Sequence, residues 1–181
     1  MKNQQNHRII ETANLQLIPC ELAYLEAIMR DKKELESILG VTVPDNWPEF
    51  PESLNYIHKA LTSDSAPPEW GYHLFVHTKD RALIGEGGYK GRPDADGVVE
   101  IGYAIFPEYR QRGLASEAAR GLTRHAFAHA EVAVVQAHTL KDGTASINVL
   151  KKLGMKFVGA AKDPDEGEVW RWRLERKDYL S

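Results

Sequence analysis

The sequence predicts one α+β sheet domain, and three observations carry that prediction. The chain has 181 residues, the length of one globular domain, which buries roughly 70% of its extended surface on folding. Hydrophobic residues make up 43% and charged residues 27%, the composition of a chain with a packed core rather than of a disordered or fibrous one. The apolar spacing then switches between strand and helix periods in the order βααβββαβαββ, with no internal repeat and no low-complexity tract.

The N-terminal residues 1–12 are polar and are expected to form a flexible tail, outside a single domain that otherwise takes up the whole of residues 1–181. Leu15 to Cys20 alternates as a strand. Leu22, Leu25, Ile28, Met29, Leu35, Ile38 and Leu39 then recur at helical spacing, and Gly40 closes the helix. Val41 to Pro51 carries Pro44, Pro48 and Pro51 around Trp47 and Phe50. Prolines remove backbone donors, so an ordered surface loop is expected there, with aromatics that are costly to leave in water. Leu54, Ile57, Ala60 and Leu61 mark a further short helix, closed by the turn-rich SDSAPPEWG.

Three strands follow, Tyr72 to Thr78, Ala82 to Tyr89 and Val98 to Phe106, as a meander with RPDADG between the last two. Leu114 to Ala130 reads as an amphipathic helix, with Glu117 in its first turn and Arg124, His125 and His129 toward its end, an order that suits the helix dipole. Val132 to His138 is a strand, Ala145 to Leu153 a short helix stopped by Gly154, and Lys156 to Ala160 and Glu168 to Glu175 are closing strands.

Charge and cysteine content exclude several classes. The 23 basic and 26 acidic residues leave a formal charge of −3, so nothing draws the chain to nucleic acid or anionic lipid, and a polyanionic ligand has to be held locally. The single cysteine, Cys20, forms no intrachain disulfide, and no Cys/His cluster has zinc-ligand spacing, so no metal is expected. The opening MKNQQNHRII lacks the apolar core of a secretory signal, and no stretch reaches the 18 apolar residues of a membrane span. A cytoplasmic protein is the expectation.

The segment VVEIGYAIFPEYRQRGLASEAARGLTRHAF carries the chemistry. An apolar strand ends at Pro107 and leads through a glycine-containing turn into a long helix. Unpaired amides at a helix start carry partial positive charge, so a turn with Arg110, Arg112, Gly113 and Ala115 can wrap phosphates, and a pyrophosphate suits it better than a single phosphate. By spacing alone, a solvated basic turn capping a core helix is an equal reading. No GxxxxGK[ST] occurs, and Gly85, Gly87 and Gly91 miss GxGxxG and precede Pro93 rather than a helix, so they are read as hairpin geometry.

RQRGLA at 110–115, preceded by EIGYAIFPEY, resembles the [QR]xxGx[GA] signature of the GNAT superfamily of acetyl-CoA-dependent N-acetyltransferases. GTASINVLKKLGM at 143–155 resembles a second pattern, NxxSxxVLxKxGF, of the RimJ/RimL-type branch that acetylates ribosomal proteins. The resemblance runs from about Leu15 to Leu174. It implies a GNAT fold, α/β/α layered, with a mixed twisted central sheet of about six to seven strands and about four helices. It also implies acetyl-CoA as cosubstrate and direct acetyl transfer to a primary amine, of a protein N-terminus or a small molecule. A monomer or homodimer is expected, with no partner of nucleic acid or membrane.

The same resemblance assigns positions. Backbone groups of Tyr103, Ala104 and Ile105 take the pantetheine arm, and Arg110, Gln111, Arg112, Gly113, Leu114 and Ala115 take the pyrophosphate. Direct transfer needs a proton acceptor for the amine and no covalent intermediate, so Cys20 reads as a small buried hydrophobe. Glu100 and His138 are the candidate acceptors; pairing of Glu100 with a neighbouring Lys or Arg, and a satisfied strand-edge role for His138, are the bland alternatives. The asparagine of the second pattern is Gly143 here, so Ser146 is left to take part of its role at the cofactor and in catalysis. The tyrosine that protonates the leaving thiolate in some relatives falls at Leu150, which has no proton to give. That gap motivates a second reading, a catalytically degenerate acyl-CoA-binding sensor. Trp47 and Phe50, with Asp45 and Glu49 nearby, are expected either to wall the acceptor site or to form a lid over the core. Trp170 and Trp172 share one strand face, with Arg171 and Arg173 on the other, which core packing explains.

Overall fold

The computed structural model describes residues 9–48, 51–62, 67–164 and 166–179. Its strands are Ile10–Glu11 (β1), Leu15–Pro19 (β2), Tyr72–His77 (β3), Ala82–Tyr89 (β4), Val98–Ile105 (β5), Val134–Leu140 (β6), Lys156–Asp163 (β7) and Gly167–Glu175 (β8). The helices are Leu22–Arg30 (α1), Lys32–Leu39 (α2), Pro51–Thr62 (α3), Leu114–Ala128 (α4), Thr144–Lys152 (α5) and Arg176–Tyr179 (α6). All eight strands form one mixed sheet in the order β1-β2-β3-β4-β5-β6-β8-β7. Each neighbouring pair is antiparallel except β5 and β6, which are parallel and joined through α4. A parallel pair needs such a crossover, and the helix lands on one face of the sheet.

Among the described residues the sheet has one strand and the chain two helices more than expected. The extra strand is β1: Ile10 pairs with Leu17 and is buried, so Ile10 to Thr12 of the tail expected over residues 1–12 belong to the fold, and residues 1–8 lie outside the described residues. Thr12 donates from Oγ1 to Glu117 at 2.6 Å. One extra helix comes from a break at Asp31, whose backbone is extended and whose carboxylate accepts from Lys33 N–H at 3.0 Å. Such an N-cap satisfies an orphan donor of α2 while the apolar spacing continues in phase across the break, which is why the pattern reads as a single helix. The other is the one-turn α6.

Two apolar layers flank the sheet. Leu25, Leu35, Trp47, Leu74 and Leu83 pack between the sheet and α1 to α3, and Phe75, Ile84, Ile101, Leu122 and Leu150 pack between the sheet and α4 and α5. Each fully buried leucine contributes roughly 1.5–3 kcal/mol. Of the three glycines read as hairpin geometry, Gly91 lies in the bend that joins β4 to β5, with φ of 107°, but Gly85 and Gly87 lie within β4. A Cβ on Gly85 would lie 2.4 Å from the Ala104 carbonyl and one on Gly87 2.3 Å from that of Gly102, so both are there to let β4 and β5 approach.

Pairing between β5 and β6 stops early, and this positions the site. Only Val98, Val99 and Glu100 pair with Val134, Val135 and Gln136. Beyond Glu100, β5 pairs only with β4, and beyond Gln136, β6 pairs only with β8. The two strands therefore diverge and leave an opening between their C-terminal halves.

Candidate functional site

A cleft of about 510 Å³ lies at that opening, formed by the end of β5, the entrance of α4 and the first turns of α5. Of the residues expected to bind the cofactor, Tyr103, Ala104, Ile105, Arg110, Gln111, Gly113, Leu114, Ala115 and Ser146 all line it. Arg112 does not: its guanidinium is 4.7 Å from the Tyr109 ring centre, a cation–π contact that turns it aside. Tyr109, Ser116, Ala145 and Val149 complete the lining. Helical spacing held the signal for Val149, three residues beyond Ser146, and for Ser116, in the first turn of α4.

The helix entrance is built for an anion. Gln111 and Gly113 have φ of 61° and 78°, in the left-handed region, and a Cβ on Gly113 would meet nothing within 4 Å. Glycine is needed there for its backbone conformation, and the space outside it is open. Glu117 N–H donates to the Gly113 carbonyl, but the six amides from Gln111 to Ser116 have no hydrogen-bond partner among the described residues. Successive free amides around left-handed residues form an anion-binding concavity, reinforced by the helix dipole. Arg110 anchors the loop by donating from Nε to the Ile105 carbonyl at 2.8 Å.

Glu117, the one acid in this first turn, is occupied elsewhere. Its Oε1 accepts from Thr12 Oγ1 and from Asn14 N–H, both at 2.6 Å, and its Oε2 from Asn14 Nδ2 at 2.9 Å. Partial burial works to raise its pKa, but these bonds outweigh burial and hold the carboxyl below its ordinary range.

Glu100 and His138 meet on the opposite face of the sheet, at the fork where β5 and β6 part. Their Oε1 and Nδ1 atoms are 3.0 Å apart. Lys90 Nζ lies 2.6 Å from the same oxygen, and Gln136 Nε2 donates to Glu100 Oε2 at 3.1 Å. Burial works to raise the Glu100 pKa, but the bonds from Lys90, His138 and Gln136 together hold it below the usual carboxylate range. Such a carboxylate is a weak proton acceptor and a good orienting group for the imidazole. On its other side, His138 Nε2 faces Arg171 Nε at 3.4 Å. Neither Glu100 nor His138 lines the cleft.

Cys20 is fully buried, and burial first, with Glu21 and Glu86 second, pushes its thiol up to about 12, so it supplies no thiolate. Leu150 is fully buried in the α5 face. Tyr103 has a buried hydroxyl without a partner among the described residues, and burial raises its pKa, so it stays protonated. Of the two roles expected for Trp47, the structure fits the lid over the core: at 2% exposure its ring is part of the core. Its indole N–H donates to Glu86 Oε2 at 2.5 Å. Phe50, the other expected wall residue, lies outside the described residues.

The profile of the acetyltransferase (GNAT) domain matches residues 14–156, most of the chain. The chain belongs to the GNAT acetyltransferase family. A GNAT relative from Bacillus subtilis strain 168, the uncharacterized N-acetyltransferase YjdG, is 27% identical over 148 residues, covering 81% of this chain and 88% of that one. RimL, a ribosomal-protein α-N-acetyltransferase solved in complex with coenzyme A, has a TM-score of 0.69 at 16% identity, covering 94% of this chain and 99% of its own. A chimera of the Vibrio cholerae spermidine N-acetyltransferase SpeG has a TM-score of 0.67 at 16% identity over 93% of this chain and 99% of its own. At such identities the solved structures show the GNAT fold, with the eight-stranded mixed sheet described above as this chain's version of it.

Proposed function

We propose that this GNAT protein transfers the acetyl group of acetyl-CoA to a primary amine, of a protein N-terminus or a small molecule, in the cytoplasm. One observation carries the reading: six free amides at the entrance of α4 open onto a cleft that continues along the half of β5 that has parted from β6. The residues fit coenzyme A. The amides of residues 111–116 and the Arg110 side chain suit its diphosphate, and the open space at Gly113 lets phosphate oxygens approach the backbone. The side of β5 turned away from β4 is unpaired beyond Glu100, and its main-chain groups around Tyr103 suit the amides of the arm, as an added strand would pair; the Ile105 carbonyl is taken by Arg110. Acetyl-CoA supplies the activated acyl group, and the protein supplies orientation and a place for the amine proton.

In this reading His138 takes that proton at Nε2, directly or through water, in place of the long 3.4 Å bond it accepts from Arg171 Nε, with Glu100 holding the imidazole by its Nδ1. Ser146 lines the cleft, and no hydrogen bond of its hydroxyl is present among the described residues, so it is available to the cofactor or to the departing sulfur. The paired motifs favour the RimJ/RimL-type branch, and the likeness to RimL supports that fold. The burial of Leu150, where no proton donor can act, favours the second reading, an acyl-CoA-binding sensor.

Calorimetry with coenzyme A, followed by thiol release from acetyl-CoA across N-terminal peptides, a polyamine and an aromatic amine, separates them. Micromolar binding with turnover on at least one amine supports the enzyme. Binding without turnover supports the sensor, and no binding removes both.

A further inference from the structure

Glu86 sits in the centre of β4, on the face that holds Glu100 and His138, directly across from Ala104 of the cleft. Cross-strand partners share a face with Cβ atoms roughly 5 Å apart, so Glu86 flanks the diverging half of β5 from the side away from α4. Both of its protein donors, Trp47 Nε1 and the Tyr72 hydroxyl, bond to the same oxygen, Oε2. Oε1 has no partner among the described residues, and it is not one of the buried unsatisfied atoms, so it reaches solvent.

No Lys, Arg or His pairs with Glu86 among the described residues, whereas Glu100 on the same face is held by Lys90. The ground beside Glu86 is clear. On the β5 side, the next residue on its own face of the neighbouring strand, Gly102, has nothing within 4 Å of where a Cβ would stand. Half-buried Tyr72 and Phe106 border the same face. A carboxylate with one oxygen fixed by two donors and the other left open is pre-oriented for a cationic donor, and little entropy is lost on binding.

We propose that Glu86 is the acceptor-positioning residue, binding the substrate amine as its ammonium through Oε1, so that the acceptor class is a cationic primary amine. This rests on the acetyltransferase reading and deepens it. Trp47 and Tyr72 then act on the substrate only through Glu86.

The test measures binding, not only turnover. Phenethylamine and its neutral analogue 2-phenylethanol are titrated by calorimetry into the coenzyme-A-loaded protein and into Glu86→Gln. The wild type is expected to prefer the amine at least tenfold, and Glu86→Gln to bring the preference below threefold with an unchanged coenzyme A Kd. Glu86→Asp, which keeps the charge, should retain part of the preference, and it carries the test should the glutamine variant not fold. In turnover, Glu86→Gln should raise the acceptor KM at least tenfold and change kcat less than threefold. An amine preference that survives in Glu86→Gln, or is absent from the wild type, overturns the proposal. Failure of the underlying reading shows itself separately, as loss of coenzyme A binding or as no acetyl transfer by the wild type to any amine.

Discussion

Glu100 Oε1 lies 3.0 Å from His138 Nδ1, across the last rung of pairing between β5 and β6. The two residues are brought together because the strands run parallel up to Glu100 and Gln136 and then separate, so the contact marks the fork itself. Glu100 carries three donors, and its remaining capacity is to orient the imidazole rather than to take up a proton.

A pair that acts as a unit loses its function only once. Glu100→Gln and His138→Gln should each lower kcat by roughly 10- to 100-fold with the coenzyme A Kd unchanged, and the double variant should lose little more than the worse single one. Steady-state kinetics on the four proteins checks this. Losses that multiply would show that the two residues work separately.

Gly113→Leu should weaken coenzyme A at least tenfold in calorimetry. The side chain would fill the open space where the anion approaches, and holding a non-glycine residue at φ of 78° costs about 1–2 kcal/mol besides. Gly113→Ala bears the same backbone cost with a smaller obstacle and should lose less. Circular dichroism on both variants separates local strain from misfolding, and equal affinity in all three proteins would falsify the cradle.

Tyr103→Phe removes a buried hydroxyl that has no partner among the described residues. Deleting an unsatisfied polar atom recovers its desolvation cost, so the unliganded variant should be more stable by about 1 kcal/mol in urea unfolding. A loss of stability would mean that the hydroxyl has a partner in solution.

Stability should fall on mild acidification because of His73. It is fully buried, its Nδ1 lies 2.9 Å from the Gly71 carbonyl, and its Nε2 has no partner among the described residues. Burial lowers its pKa to about 4; the Gly71 bond opposes this, and His125 adds to it. The ordinary value in the unfolded chain is about 6.5, so the unfolded state binds the proton first. This contribution is complete above about 6.5 and is lost as pH falls through about 4, on the order of 3 kcal/mol in all. Glu100 and Glu117, with pKa values below the ordinary range, lose theirs only at lower pH. Urea midpoints between pH 7 and 4.5 should decline in the wild type and flatten in His73→Phe.

Much of the cofactor side was legible in the chain because it is contiguous. RQRGLA, the strand before it and the helix after it lie within about 30 residues, and a left-handed glycine at a helix start is a local property. Nine of the ten expected cofactor residues line one cleft; the Arg112 guanidinium lies over the Tyr109 ring instead, while its amide is one of the six free ones at the helix entrance. The acceptor side was less legible. Trp47 reads as a loop aromatic that needs cover, but its burial and its bond to Glu86, 39 residues away, depend on α3 and β4. The break at Asp31 and the short β1 were hidden because an in-phase apolar pattern and a two-residue strand leave almost no periodic signal.

The sequence by itself determined the order of elements, the helix entrance near Gly113 and the family, since each follows from residues close together along the chain. Only the tertiary structure decided which polar groups share a face: Glu100 with His138 at the fork, and Glu86 with Trp47 and Tyr72 beside the glycine clearing. Strand register fixes those meetings, and register is set by the burial of both sheet faces together, which no single segment encodes.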